Sequence, residues 1–349
     1  MMKSKLLSLT LVLSLLLSGC GKKEESGNQS ATGIKDSSIS KSLPLQNPNR
    51  PFSLKYKFEK GKKYKYSLTT DQSENVQLQR PDTTVQNNVI QKITYFIDFS
   101  VDGIDKNNTA ELTCNFTSVK LDADANGNKF KYESGKTKTA EERKTFSQYE
   151  AIINNPFSLR ISQFGEIIEL FRYEQIIEKF IDITETRDSM NAKRKEDLRL
   201  SLTEATLKPL LSQIFRKFPE KQVAKDSTWS VEQEPIPLPP QTIKNTTYFK
   251  ITSMQKQNMD TLAAIDGEMR TEITGNQTLN NRGLQYFFDK PRASGSGKIY
   301  FNVSQGRIQS SRTSTSMVNS VTVQANSPQG LMKQTQRKSS ESSIIVEAL

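Results

Sequence analysis

The sequence contains no histidine among its 349 residues. Histidine is the commonest general base near neutral pH, the commonest zinc ligand and the usual partner of a nucleophilic serine or cysteine. The chain also lacks a G-x-S-x-G motif, a Walker loop and a dinucleotide-binding fingerprint. A hydrolase based on two carboxylates stays open, but no acidic pair is suggested by the sequence. We therefore expect a protein that is not an enzyme, with no catalytic residues and no cofactor.

No long hydrophobic helix is expected at the N-terminus either. The apolar run Leu6–Leu17 has 12 residues, whereas a helix needs about 20 to span a bilayer. The run follows Lys3 and Lys5 and ends in small residues, which is typical of a secretory leader. We expect residues 1–19 to be a signal peptide.

The leader ends in Leu17-Ser18-Gly19-Cys20, which resembles the lipobox of bacterial lipoproteins. The resemblance implies cleavage before Cys20, a diacylglycerol on its thiol and acylation of the new amine. Two or three acyl chains would hold the protein on a membrane effectively permanently. The alternative is an ordinary cleaved leader that leaves Cys20 free.

The residues after Cys20 indicate to which membrane the protein would be sorted. An aspartate in the next position would suggest retention at the inner membrane, and Gly21 does not. The following Lys-Glu-Glu is similar to export signals of surface lipoproteins in Bacteroidota, although it could equally be a solvated tether. We expect a lipid-anchored cell-envelope protein, with the outer membrane favoured and its face undecided, and a flexible tether over residues 20–50 because few apolar residues occur there.

Cysteine is scarce: besides Cys20 the chain has only Cys114. A lipid on the first leaves the second without a partner, so a disulfide within the chain is excluded. Cys114 is most simply a small buried apolar side chain. Basic residues outnumber acidic ones by 49 to 38, but in the strands the lysines and aromatics fall on opposite faces. Because nucleic-acid binding needs cations beside stacking aromatics, we expect no nucleic-acid partner.

Alternation of apolar and polar residues predicts antiparallel strands in residues 51–172. The clearest case is Leu54–Thr70, where aromatic residues alternate with lysines on either side of Gly61. This pattern predicts a β-hairpin. Further strands are expected at Ile93–Val101 and Ala110–Leu121.

One stretch allows two interpretations. Asp122, Asp124, Asn126 and Glu133 fit the written pattern of an EF-hand calcium loop. The flanking residues, however, resemble strands rather than helices, and Asn126-Gly127 is a strong hairpin-turn signal. We favour the turn and keep a weak calcium site as the alternative, so no metal site is favoured.

The spacing of Ile176, Ile177, Phe180 and Ile181 predicts a helix, and Leu207–Phe218 predicts another. Strands return over residues 220–349. Short segments of the first half recur in order in the second; for example, Thr94-Tyr95-Phe96 matches Thr247-Tyr248-Phe249. We therefore expect an α+β fold with two related, curved antiparallel sheet units, over residues 51–172 and 220–349, and a helical segment over 173–219.

The lipobox, Phe58-Glu59-Lys60-Gly61-Lys62-Lys63-Tyr64 and Asp226-Ser227-Thr228-Trp229 together resemble an uncharacterised lipoprotein family found mainly in Bacteroidota. That family implies no functional residues. A looser analogy in fold is to periplasmic lipoprotein carriers, in which a curved sheet and helices enclose an apolar cavity.

Function is accordingly expected to be binding rather than catalysis. The first hypothesis is a lipid-anchored binding or carrier module for a hydrophobic or envelope ligand, because one-sided aromatic strands face amphipathic helices; a solid core would explain the same pattern. The second is a non-catalytic scaffold or accessory subunit of an envelope assembly. The expected partners are the membrane, through Cys20, and a hydrophobic ligand or an envelope protein.

Overall fold

A computed structural model describes residues 43–45, 47, 49–327 and 330–349. These residues are mostly β, and their sixteen strands form a single sheet with every strand pair antiparallel. The expected α+β fold with two sheet units is therefore wrong. Cys20 and the expected signal peptide lie outside the described residues.

The strands are β1 (Leu43–Pro44), β2 (Lys63–Arg80), β3 (Thr83–Ile104), β4 (Ala110–Ala125), β5 (Asn128–Glu133), β6 (Phe157–Ile161), β7 (Ile167–Phe171), β8 (Thr228–Glu232), β9 (Ile236–Leu238), β10 (Gln241–Gln257), β11 (Asp260–Gly275), β12 (Thr278–Asn281), β13 (Leu284–Phe288), β14 (Arg292–Asn302), β15 (Arg307–Ser327) and β16 (Gly330–Ala348). The helices are α1 (Ala140–Thr145), α2 (Ser147–Ile152), α3 (Glu174–Thr184), α4 (Ala192–Leu202) and α5 (Lys208–Ile214), with a 3₁₀ turn at Arg187–Ser189 and a π turn at Thr203–Leu207.

The two halves are joined through the last strand. The sheet runs in the order β1-β10-β11-β14-β15-β16-β2-β3-β4-β6-β7. Strand β16 pairs with β2 from Ala348–Tyr66 to Thr335–Gln79. This pairing brings together the two ends of the folded chain, and a contact between such distant segments leaves no local pattern in the sequence. It turns two expected units into one sheet.

The predicted repeat corresponds to a repeated succession of strands. In the first half β2, β3, β4, β6 and β7 are neighbours in that order, and in the second half β8, β10, β11, β14 and β15 are. The matched triplets are nevertheless out of phase. Tyr95 is 7% exposed while its counterpart Tyr248 is 40% exposed, so the sequence alignment pairs residues that lie on opposite faces.

The segment before β2 is not the strand of a hairpin. Residues 53–59 carry no strand pairing and cross between two turns instead. The Tyr56 amide donates to the Gln163 carbonyl at 2.8 Å, and the Lys57 amide donates to the Gly306 carbonyl at 3.0 Å. The predicted hairpin is wrong because this segment satisfies its amides with the two turns rather than with β2.

The helices cover one face of the sheet. On this helix-facing side the register pairs Gly267 with Gly297, Gly297 with Thr313, Thr313 with Ile344, Ile344 with Thr70 and Thr70 with Ile93. The core lies between this face and the helices; Phe215, just after α5, packs edge-on against Phe99 with ring centroids 5.1 Å apart. Within the described ranges, no helix is long and apolar enough to cross a membrane.

The predicted helix at Ile176–Ile181 is confirmed as α3, whose Ile176, Ile177 and Ile181 are buried. The predicted helix at Leu207–Phe218 is shorter: α5 ends at Ile214. Helix α4 lies within the expected helical segment 173–219, in a polar stretch whose spacing predicted no individual helix. It begins at Ala192, after the N-cap Asn191, whose side chain accepts from the Arg194 amide.

Candidate functional site

Sheet and helices do not meet in a solid core throughout. An apolar cavity of about 240 Å³ lies between β2 and β3 on one side and α2 to α5 on the other. Its lining comprises Thr70, Gln72, Gln91, Ile93, Tyr95, Gln148, Tyr149, Ala151, Ile152, Ile176, Ile177, Phe180, Leu198, Ser201, Leu202, Thr206, Pro209 and Leu210. None of these side chains carries a charge at neutral pH.

The floor is formed by paired residues of β2 and β3. Thr70 lies opposite Ile93, and Gln72 lies opposite Gln91. Tyr95 continues the floor and packs edge-on against Phe116, with ring centroids 5.7 Å apart. Burial raises the pKa of the Tyr95 phenol well above its usual value, so this side chain stays neutral and offers a ligand an apolar ring.

The floor has one polar edge. The Gln91 amide donates from Nε2 to Oε1 of Gln72 at 2.6 Å. One position further along the same face, Lys338 forms an ion pair with Glu74 at 2.7 Å. Because a polar group at this edge has hydrogen-bonding partners and one deeper in the cavity has few, a bound molecule would be oriented with its polar end here.

The helices that cover the cavity, its roof, differ in how many apolar residues they bury. Helix α3 presents Ile176, Ile177 and Phe180, as its apolar periodicity predicts. Helix α4 supplies Leu198 and Leu202 but has no buried residue of its own. The roof is thus anchored by α3 and completed by a helix with little apolar attachment.

Ion pairs attach α4 to α3. Lys195 of α4 contacts Glu178 of α3 at 2.6 Å, and Arg187 between the helices contacts Glu178 at 3.1 Å and Asp182 at 2.5 Å. All four side chains are substantially exposed, and exposed pairs contribute little, about 0–1 kcal/mol each. Helix α4 is therefore the weakest wall of the cavity.

The size and chemistry of the cavity limit what it can hold. It exceeds the ~150 Å³ of an engineered apolar cavity that binds benzene, and it falls below the ~300 Å³ typical of drug-sized ligand pockets. With no charged group in the lining, it offers neither an acid–base pair nor a metal-ligand set. It suits one alkyl chain or a similarly slender apolar group.

A larger groove on the opposite face lacks these properties. It has a volume of about 470 Å³ and is lined mainly by serines of β14, β15 and β16, with Asp71 and Glu341 at its side. The groove is open and polar, so water competes for each of its hydrogen bonds. We therefore place the candidate site in the smaller apolar cavity.

The calcium candidates lie on a hairpin. Asn126 and Gly127 form the turn between β4 and β5, as the Asn-Gly pattern predicted. Asp122 pairs with a lysine, Lys131, at 3.1 Å, and the Asp124 side chain accepts from the Gly127 amide. The Asn126 side-chain oxygen accepts from the Asn88 amide.

Glu133 of the same set contacts Lys136 at 2.7 Å and Lys120 at 3.2 Å. These two ammonium groups hold the pKa of the Glu133 carboxyl below its usual value. The four candidate oxygens therefore have partners already. In the part of the chain that the structure describes, no group of three or more His, Cys, Asp or Glu residues could hold a metal ion.

Sequence reasoning identified the apolar face of α3 and the strand containing Ile93 and Tyr95, but not the residues that close the cavity. Ala151 and Ile152 belong to α2, for which no helix was predicted, and Leu198 and Leu202 belong to α4. The available signal for the first is the capping box of the preceding helix, in which Thr139 and Glu142 bond reciprocally.

Comparison with curated proteins finds no match. Among solved structures the chain is similar to lipovitellin, described under lipid–protein interactions, at 13% identity over 84% of this chain, with a TM-score of 0.40. It spans 25% of that chain, about a quarter of its length. OccK2 (OpdF) of Pseudomonas aeruginosa matches at 6% identity over 82% of this chain and 97% of its own, with a TM-score of 0.17. Such low TM-scores carry no argument about fold or function.

One sequence family matches more than half of the chain, over residues 107–308. The match begins just before β4 and ends in β15, and so includes α1 to α5 and every roof residue of the cavity. The chain belongs to this family, which is described as a family of unknown function (DUF6263).

Proposed function

We propose that this protein is a lipid-anchored cell-envelope module that binds or carries one apolar chain, such as an acyl chain, in the cavity between the sheet and the helices. The observation that carries the proposal is the uncharged cavity of about 240 Å³ between β2, β3 and the helical roof. It replaces the solid core that would have explained the same sequence pattern.

Burial of an alkyl chain supplies the affinity. Each methylene transferred from water to an apolar environment contributes about 0.8 kcal/mol. A chain of six to eight methylenes would gain roughly 5–6 kcal/mol by the same rule, before the costs of immobilisation. The expected affinity is modest, which suits a protein that must also release its ligand.

The roof provides the route of access. Helix α4 joins α5 through the π turn Thr203–Leu207, and local π geometry often occurs at functional sites. Because α4 is held by exposed ion pairs and by two leucines over the cavity, it can move aside at lower cost than α3. We place ligand entry at α4.

The membrane attachment belongs to the same proposal. A diacylglycerol on Cys20 would keep the binding module beside the bilayer from which an apolar ligand would come, with the outer membrane favoured. The lipobox and the leader support it. Metabolic labelling with palmitate, compared between the native chain and Cys20→Ser, tests this part separately.

The cavity is tested with a slender fatty acid. The mature chain carrying Cys20→Ser is titrated with sodium decanoate, and the heat of binding is followed by calorimetry. In the variant Ala151→Phe a ring projects from α2 into the cavity, so we expect at least a tenfold loss of affinity. The control Ala140→Phe, at an exposed position of α1, should bind as the unmodified chain does.

Two results would contradict the proposal. The first is no saturable binding by the unmodified chain together with no lipid extractable from protein purified from its membrane. The second is equal binding by Ala151→Phe, provided circular dichroism shows that the variant folds. Ile177→Phe is a second cavity variant from a different helix, for use if Ala151→Phe does not fold.

A second candidate function is that of a scaffold or accessory subunit of an envelope assembly. The helix-facing side of the sheet continues beyond the helices, where Val85, Val89 and Met332 are 44%, 36% and 60% exposed. A photocrosslinking amino acid at Val89 in intact cells tests it, with Ile168 as an exposed control position. Absence of any adduct specific to Val89 would rule this function out.

A further inference from the structure

Arg216 carries a buried cationic side chain. The residue follows α5 and is 9% exposed. Its Nη2 donates to Oε1 of Gln213, but its Nε has no hydrogen-bond partner in the described part of the chain. Among the described residues, no carboxylate forms an ion pair with this guanidinium, although twenty other ion pairs are present.

Such an arrangement is costly for the folded protein. Burial lowers the pKa of Arg216 to about 10, which still leaves the guanidinium charged at neutral pH. Removing an ion from water without a partner costs several kcal/mol even after relaxation. A buried charge that lacks a counter-ion among the described residues is therefore a candidate site for a ligand of opposite charge.

The side chain faces a small recess in the sheet. The recess has a volume of about 20 Å³ and is lined by Arg216, Thr247, Gly267, Gly297 and Thr313, among others. This volume is enough for one water-sized group, since about 10–15 Å³ is the minimum. The wall of the recess is mainly apolar, with Phe249 and Ile299 beside the two glycines, and the cationic side chain of Arg216 forms part of it.

Two glycines create the recess. Gly267 and Gly297 lie directly opposite each other in β11 and β14. A Cβ on Gly297 would lie 2.6 Å from Cγ2 of Thr313, and one on Gly267 would lie 3.1 Å from the Phe249 ring. Glycine within a strand costs stability and often marks a place where a ligand or another backbone approaches closely.

We propose that this recess binds a halide ion such as chloride, which Arg216 pairs through its free Nε–H. A carboxylate group has three heavy atoms and exceeds a recess that holds one water-sized group. A single buried guanidinium with one open donor matches one negative charge. A doubly charged anion would remain half unpaired in the recess.

The recess is separate from the apolar cavity. On the helix-facing side, Thr313 of the recess and Thr70 of the cavity floor are separated by Ile344, so they lie two strand spacings apart, about 10 Å. Ile344 is buried between them. Anion binding can therefore be tested, and can fail, independently of the apolar ligand.

The experiment observes the side-chain Nε–H resonance of Arg216 in ¹H–¹⁵N spectra of the mature chain carrying Cys20→Ser. The resonance is assigned by its loss in Arg216→Lys. Sodium chloride, sodium acetate and sodium decanoate are titrated separately. We expect a saturable shift of Arg216, while the exposed Arg292 shows no saturable shift.

The three salts separate a halide site from a carboxylate site. Saturation by chloride supports the proposal, and saturation by acetate or decanoate but not by chloride contradicts it. No saturable response of Arg216 to chloride, or a response equal to that of Arg292, also overturns the proposal.

A variant pair provides the second test. Gly297→Ala places a methyl group in the recess, and we expect at least a tenfold loss of affinity for the bound anion. Gly103→Ala, in β3, meets nothing within 4 Å and should leave the affinity unchanged. An unchanged affinity in folded Gly297→Ala would show that the anion does not occupy the recess.

Discussion

The hydroxyl group of Tyr56 is bonded to the main chain of Arg216 in both directions. It accepts from the Arg216 amide at 2.8 Å and lies 3.3 Å from the Arg216 carbonyl oxygen, to which it donates. The two residues are 160 positions apart. One phenol thus provides hydrogen-bonding partners for the Arg216 amide and carbonyl, where the chain leaves α5. The same contact fixes segment 53–59 beside Arg216.

Tyr56→Phe should destabilise the protein by about 1–3 kcal/mol, because the buried Arg216 amide loses its acceptor and has no water to replace it. Urea unfolding followed by circular dichroism measures the change. Tyr248→Phe is the control, since Tyr248 is largely exposed, and we expect less than about 0.5 kcal/mol for it. Equal effects of the two substitutions would show that the hydroxyl of Tyr56 contributes nothing specific.

Gly165 makes a second close contact with the same peptide. Its φ is +85°, and a Cβ there would lie 2.2 Å from the Arg216 carbonyl oxygen, whereas Gly61 has a φ of +81° with nothing within 4 Å. Both substitutions to alanine incur the cost of left-handed backbone, about 1–2 kcal/mol. Only Gly165→Ala also displaces main-chain atoms, so it should cost at least about 2 kcal/mol more.

Thermal and urea unfolding of Gly165→Ala and Gly61→Ala are measured side by side. The difference between their free energies of unfolding gives the cost of the clash with Arg216, because the cost of the left-handed backbone is common to both. A difference of less than about 0.5 kcal/mol between them would contradict the tight approach of Gly165 to Arg216.

Helix α4 should exchange its amide hydrogens faster than α3 and α5. It contains no buried residue, whereas α3 buries Ile176, Ile177 and Ile181 and α5 buries Leu210 and Leu211. Local opening is easiest where few apolar contacts are lost. Hydrogen exchange followed by mass spectrometry compares peptides from the three helices.

The same measurement connects α4 with the ligand. If entry occurs at α4, bound decanoate should slow exchange in α4 more than in α1, which does not line the cavity. Protection of α4 equal to that of α3 in the free protein would contradict its role as the movable wall.

The free energy of unfolding should fall in acid, because specific surface carboxylates become protonated and lose their ion pairs. Hydrogen bonds from Lys136 and then Lys120 lower the pKa of Glu133, and those from Lys195 and then Arg187 lower the pKa of Glu178. A pKa that is lower in the folded state than in the unfolded state gives stability above the unfolded value, about 4.3 for glutamate. That stability is lost as pH falls through the folded value.

We therefore expect Glu133 and Glu178 to cause little change in melting temperature between pH 5 and 8. Below about pH 4.5 their protonation should lower the melting temperature. In Glu133→Gln the decline should be shallower. Glu220→Gln is the control, because among the described residues Glu220 forms no ion pair. Identical pH profiles for Glu133→Gln and Glu220→Gln would show that the lysine contacts of Glu133 do not persist in solution.

Local patterns in the sequence predicted individual elements well where one face is buried. The alternation at Ile93–Val101 and at Ala110–Leu121 corresponds to β3 and β4, and the Asn126-Gly127 turn is where the pattern indicated. Local patterns gave a wrong prediction where alternating apolar residues are buried without forming a strand. Leu54 and Tyr56 alternate with lysines, yet they are buried in a segment that crosses between turns rather than in a strand.

Helix α4 could not be predicted from periodicity. It has no apolar stripe, because its outer face is solvated and it lines the cavity with two leucines and a serine, Leu198, Leu202 and Ser201. Arg216 likewise carries no signal of its own. Its burial depends on two glycines in β11 and β14 that face each other only after those strands pair.

By itself, the sequence determined a chain without histidine, with short-range turns where glycine and asparagine permit positive φ, and with helix α3 where isoleucines recur at helical spacing. These properties depend on neighbouring residues, whose chemistry acts locally. Only the tertiary structure decided that β16 pairs with β2 to make one sheet, that an apolar cavity separates this sheet from the helices, and that Arg216 lies buried over Gly267 and Gly297. Such features depend on which distant segments pack together, and packing is set by the sum of many weak contacts that no single stretch of sequence displays.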